Sequence, residues 1–488
     1  MQKRLVSILL LLCMAFAGCS TATENNEEET LPEADTAPTA ESVAEEEEEY
    51  DIFKELPAQD FGGKDFNFYI PHNAESPVDK GLYGPELVGT VFEDAVFNRN
   101  LAVENEYKVK INVHQMGNFG TTYNDMKTNV TAGDNTYDMY FTHVWTNNPL
   151  IISDNLCIEW DQIPYVQMDM PWWNQYATPK LSMANKQYFA VSSINIQDVI
   201  LLLFNKEMAL NHQIGDLYSY VDEGTWTMDK LGELSALAVR DLNGDGEMTA
   251  EDDQFGLVYS KGWQTPSLMY ACGVMTVELD EDGAPVLLLE DEKMYTIHEK
   301  LYKLLWETEG VHYVGYHAMP DIDIHSDRAL FVEYNLFVVE NCREGDVDYG
   351  ILPLPKYDEF QENYCTNSWT GMMCIPSTTP EDNYEMIGIL MESLSFLGYR
   401  DVVPQYYDNV LKYKVSRDED SARMIDIIRE NIVFDTGLNY DTTNIAGQVM
   451  ANMLTGKNPN YASTLRKKIK NIQRAYTKMY EAVLDAGE

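Results

Sequence analysis

Short apolar runs of strand length alternate with longer amphipathic runs of helix length along most of this 488-residue chain, and that alternation points to an α/β architecture. DFNFYIP from Asp65 reads as a strand, Glu93 through Glu104 as an amphipathic helix, and KVKINVHQM from Lys108 as a strand of period two. TTYNDMKTNVTAGD is a helix closing at Gly133, and YDMYFTHV from Tyr137 is a buried strand. KQYFAVSS and DVILLLFN read as two more strands. A helix capped by Thr225 or Thr227 follows and runs into DLNGDG. After DQFGLVYS and LMYACG comes a hairpin, VMTVELDEDGAPVLLL, turning on Asp282-Gly283. VDYGILPLPKYDE is a strand ending in a Pro-rich loop, and GMMCIPSTT is a strand leading to a helix that begins near Pro380-Glu381. Near the C-terminus, Leu465, Ile469, Ile472, Tyr476, Met479 and Val483 share one helical face, with Arg466, Lys467, Lys468 and Lys470 on the solvated one.

The ends differ from this body. Lys3 and Arg4 precede an apolar run, Leu5 to Ala17, too short to span a bilayer as a mature helix. It ends in Phe16-Ala17-Gly18-Cys19, which resembles a bacterial lipobox whose Cys19 is diacylated, so residues 1–18 are expected to be a lipoprotein signal peptide. The alternative is an ordinary secretory peptide with an incidental cysteine; either way the expected location is outside the cytoplasm. Residues 19–52 carry a run of five Glu from Glu45 to Glu49, no Lys or Arg and few large apolar residues, so an acidic disordered tether is expected. Stretched out, roughly 33 residues reach on the order of 110 Å. The body that follows exceeds 400 residues and should split into lobes. Its 67 acids against 32 bases leave a net charge of −35, which argues against nucleic acid, phosphorylated ligands and direct adhesion to anionic lipid. Five body cysteines, Cys157, Cys272, Cys342, Cys365 and Cys374, lack any compact framework and are expected as buried free thiols, with a Cys365–Cys374 or Cys342–Cys365 bridge as the alternative.

DLNGDGEMTAEDDQFG places Asp241, Asn243 and Asp245 at positions 1, 3 and 5 of an EF-hand-type loop. Gly246 stands at the sharp turn, the Glu247 carbonyl at position 7, Thr249 at 9 and Asp252 at 12. Oxygen ligands at this spacing suit calcium, with Asp252 shorter than the usual bidentate Glu. The alternative is a solvated Asp/Asn/Gly turn without metal. A single copy points to a structural staple rather than a sensor or docking module.

Taken in order, these pieces resemble the extracellular solute-binding proteins of bacterial ABC importers, the family that includes maltose-binding protein, and within it lipid-anchored carbohydrate binders. The resemblance rests on YDMYFTHVWTNNPLIISDNLCIEWDQIPY, MPWWNQYA, KQYFAVSSINIQDVILLLFNKEM, EGTWTMDKLGELSALAVRDLNGDGEMTAEDDQFGL, VDYGILPLPKYDEFQENYCTNSWTGMMCIPSTT and VVPQYYDNVLKYKVSRDEDSARMIDIIRENIVFD. It implies a two-lobe, type II periplasmic-binding-protein-like fold with discontinuous lobes: 53–194 plus about 375–425, and 195–374 plus about 426–488. It also implies an EF-hand-like loop in the second lobe and a ligand trapped in the cleft by hinge motion.

Sugars present C–H faces ringed by hydroxyls, so their sites pair aromatic plates with amides, carboxylates and hydroxyls. The chain has 56 aromatics. By the resemblance, and by position at strand ends, the candidate contacts are Thr142, His143 and Trp145; Ser193, Asn195 and Gln197; Trp263 and Gln264; and Asn367, Ser368 and Trp369. For each Trp the competing reading is core packing, which is preferred for Trp160 and Trp306. The sequence contains no GxSxG, HExxH, GxGxxG or Walker loop. HAMPDIDIH, with His317, Asp321, Asp323 and His325, reads as a loop of surface polar residues rather than a transition-metal site. The expectation is a non-enzymatic, membrane-tethered monomer that captures a sugar and delivers it to an ABC permease. Two alternatives stay open: a surface glycoside-active enzyme, since two carboxylates suffice for one, and a binder of peptides or a cationic small molecule.

Overall fold

Alternating large apolar side chains fix the strands first. Phe66, Phe68 and Ile70 are buried on one face of DFNFYIP while Tyr69 and Pro71 are buried on the other, so this strand is covered on both sides. A computed structural model of the chain describes residues 50–72, 78–84, 86–262, 264–314, 322–440 and 447–485. The expected signal peptide and nearly all of the tether lie outside these residues, as do Trp263, His317 and Asp321. From Asp51 onward the chain forms one unit.

Two five-stranded sheets organise it. Their strands are β1 (Lys64–Pro71), β2 (Val109–Met116), β3 (Met139–Thr142), β4 (Cys157–Ile158), β5 (Ile200–Asn205), β6 (Phe255–Ser260), β7 (Val311–Val314), β8 (Ala329–Asn335), β9 (Tyr349–Leu352) and β10 (Met372–Pro376). The first sheet has the order β2-β1-β3-β10-β4 and the second β7-β6-β8-β5-β9. Each is a parallel trio followed by one antiparallel strand in fourth place, β10 in the first and β5 in the second. In both cases that strand enters directly from the other lobe, so it needs no covering crossover helix and can run antiparallel to its neighbours.

The two entering strands are continuations of paired crossing segments. Ala190 and Met373 exchange main-chain hydrogen bonds of 2.9 and 2.8 Å, and Val199 bridges Ser368. KQYFAVSS therefore differs from the expected strand. Only Lys186–Gln187 pairs in a ladder, with Ser182–Met183, and the remainder leaves the first lobe as a crossing segment.

Five helices matter for the site: α1 (Met228–Leu237), α2 (Thr265–Ala271), α3 (Tyr384–Leu397), α4 (Glu419–Glu430) and α5 (Tyr461–Asp485). Thr227 caps α1 by accepting the Lys230 N–H at 3.2 Å. The glycine of DQFGL allows α1 to lie on β6, because a Cβ at Gly256 would collide with the Ser235 carbonyl. LMYACG lies largely in α2, with Pro266 in its first turn. A π-helical stretch after α3 leads to α4, which packs on β9 of the second sheet. On α5, Leu465, Ile472, Tyr476, Met479 and Val483 are buried, Ile469 is half-buried and the four basic residues are exposed. The five body cysteines are free thiols, all buried except the half-buried Cys365.

Candidate ligand cleft

In an open α/β sheet the carboxyl ends of the parallel strands point their loops and side chains at one common edge. In the first lobe β3 ends at Thr142-His143. His143 stacks on Phe119, with ring centroids 4.1 Å apart, and lies 6.2 Å from Trp369 on the second crossing segment. Trp145 faces the same indole at 6.2 Å, nearly parallel with 5° between the planes. Trp369 is buried and Trp145 is half-buried, so Trp145 offers the open face of this aromatic layer. Burial drives His143 down to about 3, against a smaller opposing contribution from the Trp369 main chain, so its ring is neutral. Its Nδ1 accepts the Trp145 N–H at 3.3 Å, which leaves the proton on Nε2. Thr142 spends its hydroxyl on the Met372 carbonyl at 3.3 Å.

The second lobe contributes polar groups. The Gln264 side chain is fully buried just before α2, and neither its Oε1 nor its Nε2 has a partner among the described residues. Asn367 is in the same position, buried with both amide atoms unengaged, on a short strand against which α2 packs. Glu333 on β8 accepts the Ser260 N–H at 2.9 Å through Oε2, and Oε1 is unengaged. Its neighbour Asn335 donates to Asp198 Oδ2 at 2.9 Å on the first crossing segment. Asp198 also accepts the Phe337 N–H at 3.3 Å, and its own carbonyl receives the Trp369 N–H and the Ser368 hydroxyl. Burial pushes both acids up, to about 7 in each case. Asp198, Glu333 and Asn335 were not picked out from the sequence. The available signal was an acidic residue inside an otherwise apolar run, as in ALFVEYN and NIQDVILLLF.

Ser193, Asn195 and Gln197 come together elsewhere, around a hinge cavity of about 310 Å³ also lined by Trp173, Tyr407 and Arg429. Asn195 donates to the Val78 carbonyl at 2.8 Å and to the Thr370 hydroxyl at 3.2 Å, while its Oδ1 and the Gln197 Oε1 lack partners among the described residues. The candidate residues thus fall into three groups: an aromatic layer on lobe 1 and the second crossing segment, a buried amide group on lobe 2, and the hinge cavity. Trp172 and Trp173 are anchored structurally, each donating its indole N–H to Glu392 at 2.8 Å. Trp160 is core, and Trp306 is half-buried, with the ammonium groups of Lys261 and Lys457 at 5.1 and 4.8 Å from its ring centroid.

The acidic loop is exposed. Asp241 accepts the N–H groups of Gly244 and Gly246 at 2.6 and 2.8 Å, and Asp245 accepts that of Glu247 at 2.8 Å. Gly246 has φ of 83°, as a turn at position 6 needs. Asp252 is exposed, whereas Asp253 is buried and accepts the N–H groups of Leu242 and Thr249. These bonds fold the loop's carboxylates back onto its own main-chain N–H groups. Among the described residues, no three acidic, His or Cys side chains converge closely enough to hold an ion.

No protein-family model matches the chain, and no curated protein matches it. Solved structures do. The chain is similar to the ABC substrate-binding protein Lmo0181 from Listeria monocytogenes in complex with cycloalternan, at 11% identity over 87% of this chain and 99% of that one, TM-score 0.52. It is similar to maltose-bound MalE3 of T. maritima at 10% identity, over 84% and 100% of the two chains, TM-score 0.52. A third is UgpB from Mycobacterium tuberculosis in complex with glycerophosphocholine, at 10% identity, 86% and 98% coverage, TM-score 0.53. Likeness at such identities speaks for the fold: this chain has the two-lobe α/β fold of the maltose-binding-protein-like solute-binding proteins of ABC transporters.

Proposed function

We propose that this protein captures a mono- or oligosaccharide between its lobes and hands it, unaltered, to an ABC importer. One observation carries the reading. The half-buried indole of Trp145 is backed by His143 and Trp369, and Trp369 stands two residues after Asn367, whose amide, like that of Gln264 just before the helix packed on it, is buried with unengaged polar atoms among the described residues. An aromatic plate for C–H faces and amides for hydroxyls are the two elements that sugar recognition needs. Fold relatives hold cycloalternan, maltose and glycerophosphocholine, two of which are carbohydrates. The test is thermal melting of the body, residues 53–488, against a panel of neutral and aminated glycans. A specific binder is stabilised by its guest in a concentration-dependent way, and no shift with any glycan overturns the reading. Chromatography of the recovered glycan addresses the enzymatic alternative: fragments in place of the intact guest would mean catalysis.

Delivery needs a body held near the membrane, and no described helix is long and apolar enough to cross one. Cys19 is proposed as the lipid-bearing residue on the extracellular face, with 19–52 as the tether. Cys19→Ala should release the protein into the medium. Calcium is proposed as a structural ion in the second lobe, held by Asp241, Asn243, Asp245, the Glu247 carbonyl and Asp252 after the carboxylates exchange loop N–H groups for the cation.

A further inference from the structure

Seven buried polar atoms on the second lobe lack a partner among the described residues: Glu333 Oε1, Asn335 Oδ1, Ser267 Oγ, and both amide atoms of Gln264 and of Asn367. Each of these five side chains is at most 1% exposed. The fold brings them together. Glu333 and Asn335 share one face of β8, two residues apart, where successive side chains alternate. Glu333 is tied to the end of β6 through the Ser260 N–H, and Tyr259 on that strand donates its hydroxyl to the Gln264 carbonyl at 3.2 Å. Helix α2 carries Ser267 and packs against Thr366–Asn367. Asn335 reaches the hinge through Asp198.

The two acids differ in their partners. Asp198 is held by an amide N–H, a main-chain N–H and the field of Lys80. Glu333 has the Ser260 main-chain N–H and the influence of the same residue's hydroxyl, and among the described residues no Lys or Arg pairs with it. A buried carboxylate without a cation is among the most costly arrangements in a protein interior, and a neutral hydroxyl relieves only part of that cost. The chain's own charge balance draws cations toward it.

We propose that Glu333 determines specificity by pairing with an ammonium group on the guest, which makes the ligand an amino-bearing carbohydrate whose hydroxyls are met by Gln264, Asn335 and Asn367. This rests on the carbohydrate reading above and narrows it. Burial that raises the free Glu333 carboxyl agrees with it, since a bound cation would reverse that effect.

The experiment compares free-amine glucosamine oligosaccharides with their N-acetylated counterparts, in which a neutral acetamide replaces the ammonium. Neutral glucose, mannose and galactose oligosaccharides are run alongside, by calorimetry on the wild-type body and on Glu333→Gln. The expected result is a preference of about tenfold or more for the free amine, as for a desolvated charge pair. Glu333→Gln should abolish that preference, read as the ratio of free-amine to N-acetyl affinity within each protein. Equal or tighter binding of N-acetylated or neutral glycans to wild type overturns the amine assignment and leaves the carbohydrate reading standing. A preference that survives in Glu333→Gln overturns the role of Glu333. If no glycan of either kind binds, both readings fall. Should Glu333→Gln not fold, the wild-type comparison of amine with N-acetyl decides alone.

Discussion

Glu392 shows how much one buried acid can organise. It accepts the indole N–H groups of Trp172 and Trp173, each at 2.8 Å, and the Gln167 N–H at 3.2 Å, so one side chain on α3 pins the MPWWNQ segment. Removing it strands three donors in an apolar interior. Glu392→Ala should therefore cost on the order of 3 kcal/mol of stability, read from urea unfolding, and leave glycan affinity unchanged in the folded fraction. Asp138, Asp198 and Glu333 predict a pH effect. Burial raises their carboxyls to about 6, 7 and 7, against about 4 in an unfolded chain. The folded state thus holds more protons between about pH 4 and 7, and these groups add stability at low pH that is lost as pH rises through 7. The guest-free melting temperature should fall across that window, and the Asp198→Asn/Glu333→Gln pair should flatten the slope. An equally steep slope in the pair would mean that general charge repulsion sets it.

At the scale of elements, the acidic loop between α1 and β6 carries the clearest expectation. Its carboxylates are spent on loop N–H groups, and its anchor in the fold is Asp253 together with the Arg240–Gln254 bridge. If calcium is taken up as proposed, chelation should lower the melting temperature, and added calcium should restore it with a concentration dependence set by affinity. A transition unmoved by chelator would remove the ion. Elsewhere, periodicity served well wherever an element is amphipathic. The buried stripe of α5 follows the spacing of Leu465, Ile472, Tyr476, Met479 and Val483, and the hairpin at Gly283 pairs Val277–Leu279 with Pro285–Leu287. KQYFAVSS was misread because its composition is that of a strand while its place is a crossing.

The whole molecule is two similar sheets joined by paired extended segments, and such a joint permits one lobe to turn on the other. A guest held from both sides stabilises the closed arrangement in proportion to its preference for it. Trp145 is the half-buried plate of the lobe 1 layer, so Trp145→Ala should weaken glycan binding on the order of 10- to 100-fold in calorimetry.

Local pattern determined a good deal of this protein: the α/β class, most strands, the amphipathic C-terminal helix, the acidic loop and the aromatic and amide residue types near the strand ends. These are properties of neighbours along the chain, set by periods of two and 3.6 residues and by turn chemistry. Only the tertiary structure decided which polar groups are buried together. Asp198, Asn335 and Ser368 meet across separations of 137 and 170 residues, and Glu333, held by the Ser260 N–H, stands without a cationic partner among the described residues in a strand that otherwise reads as apolar. Sequence spacing holds no record of such meetings, because they follow from how two sheets share crossing strands and from which side chains that sharing withdraws from water.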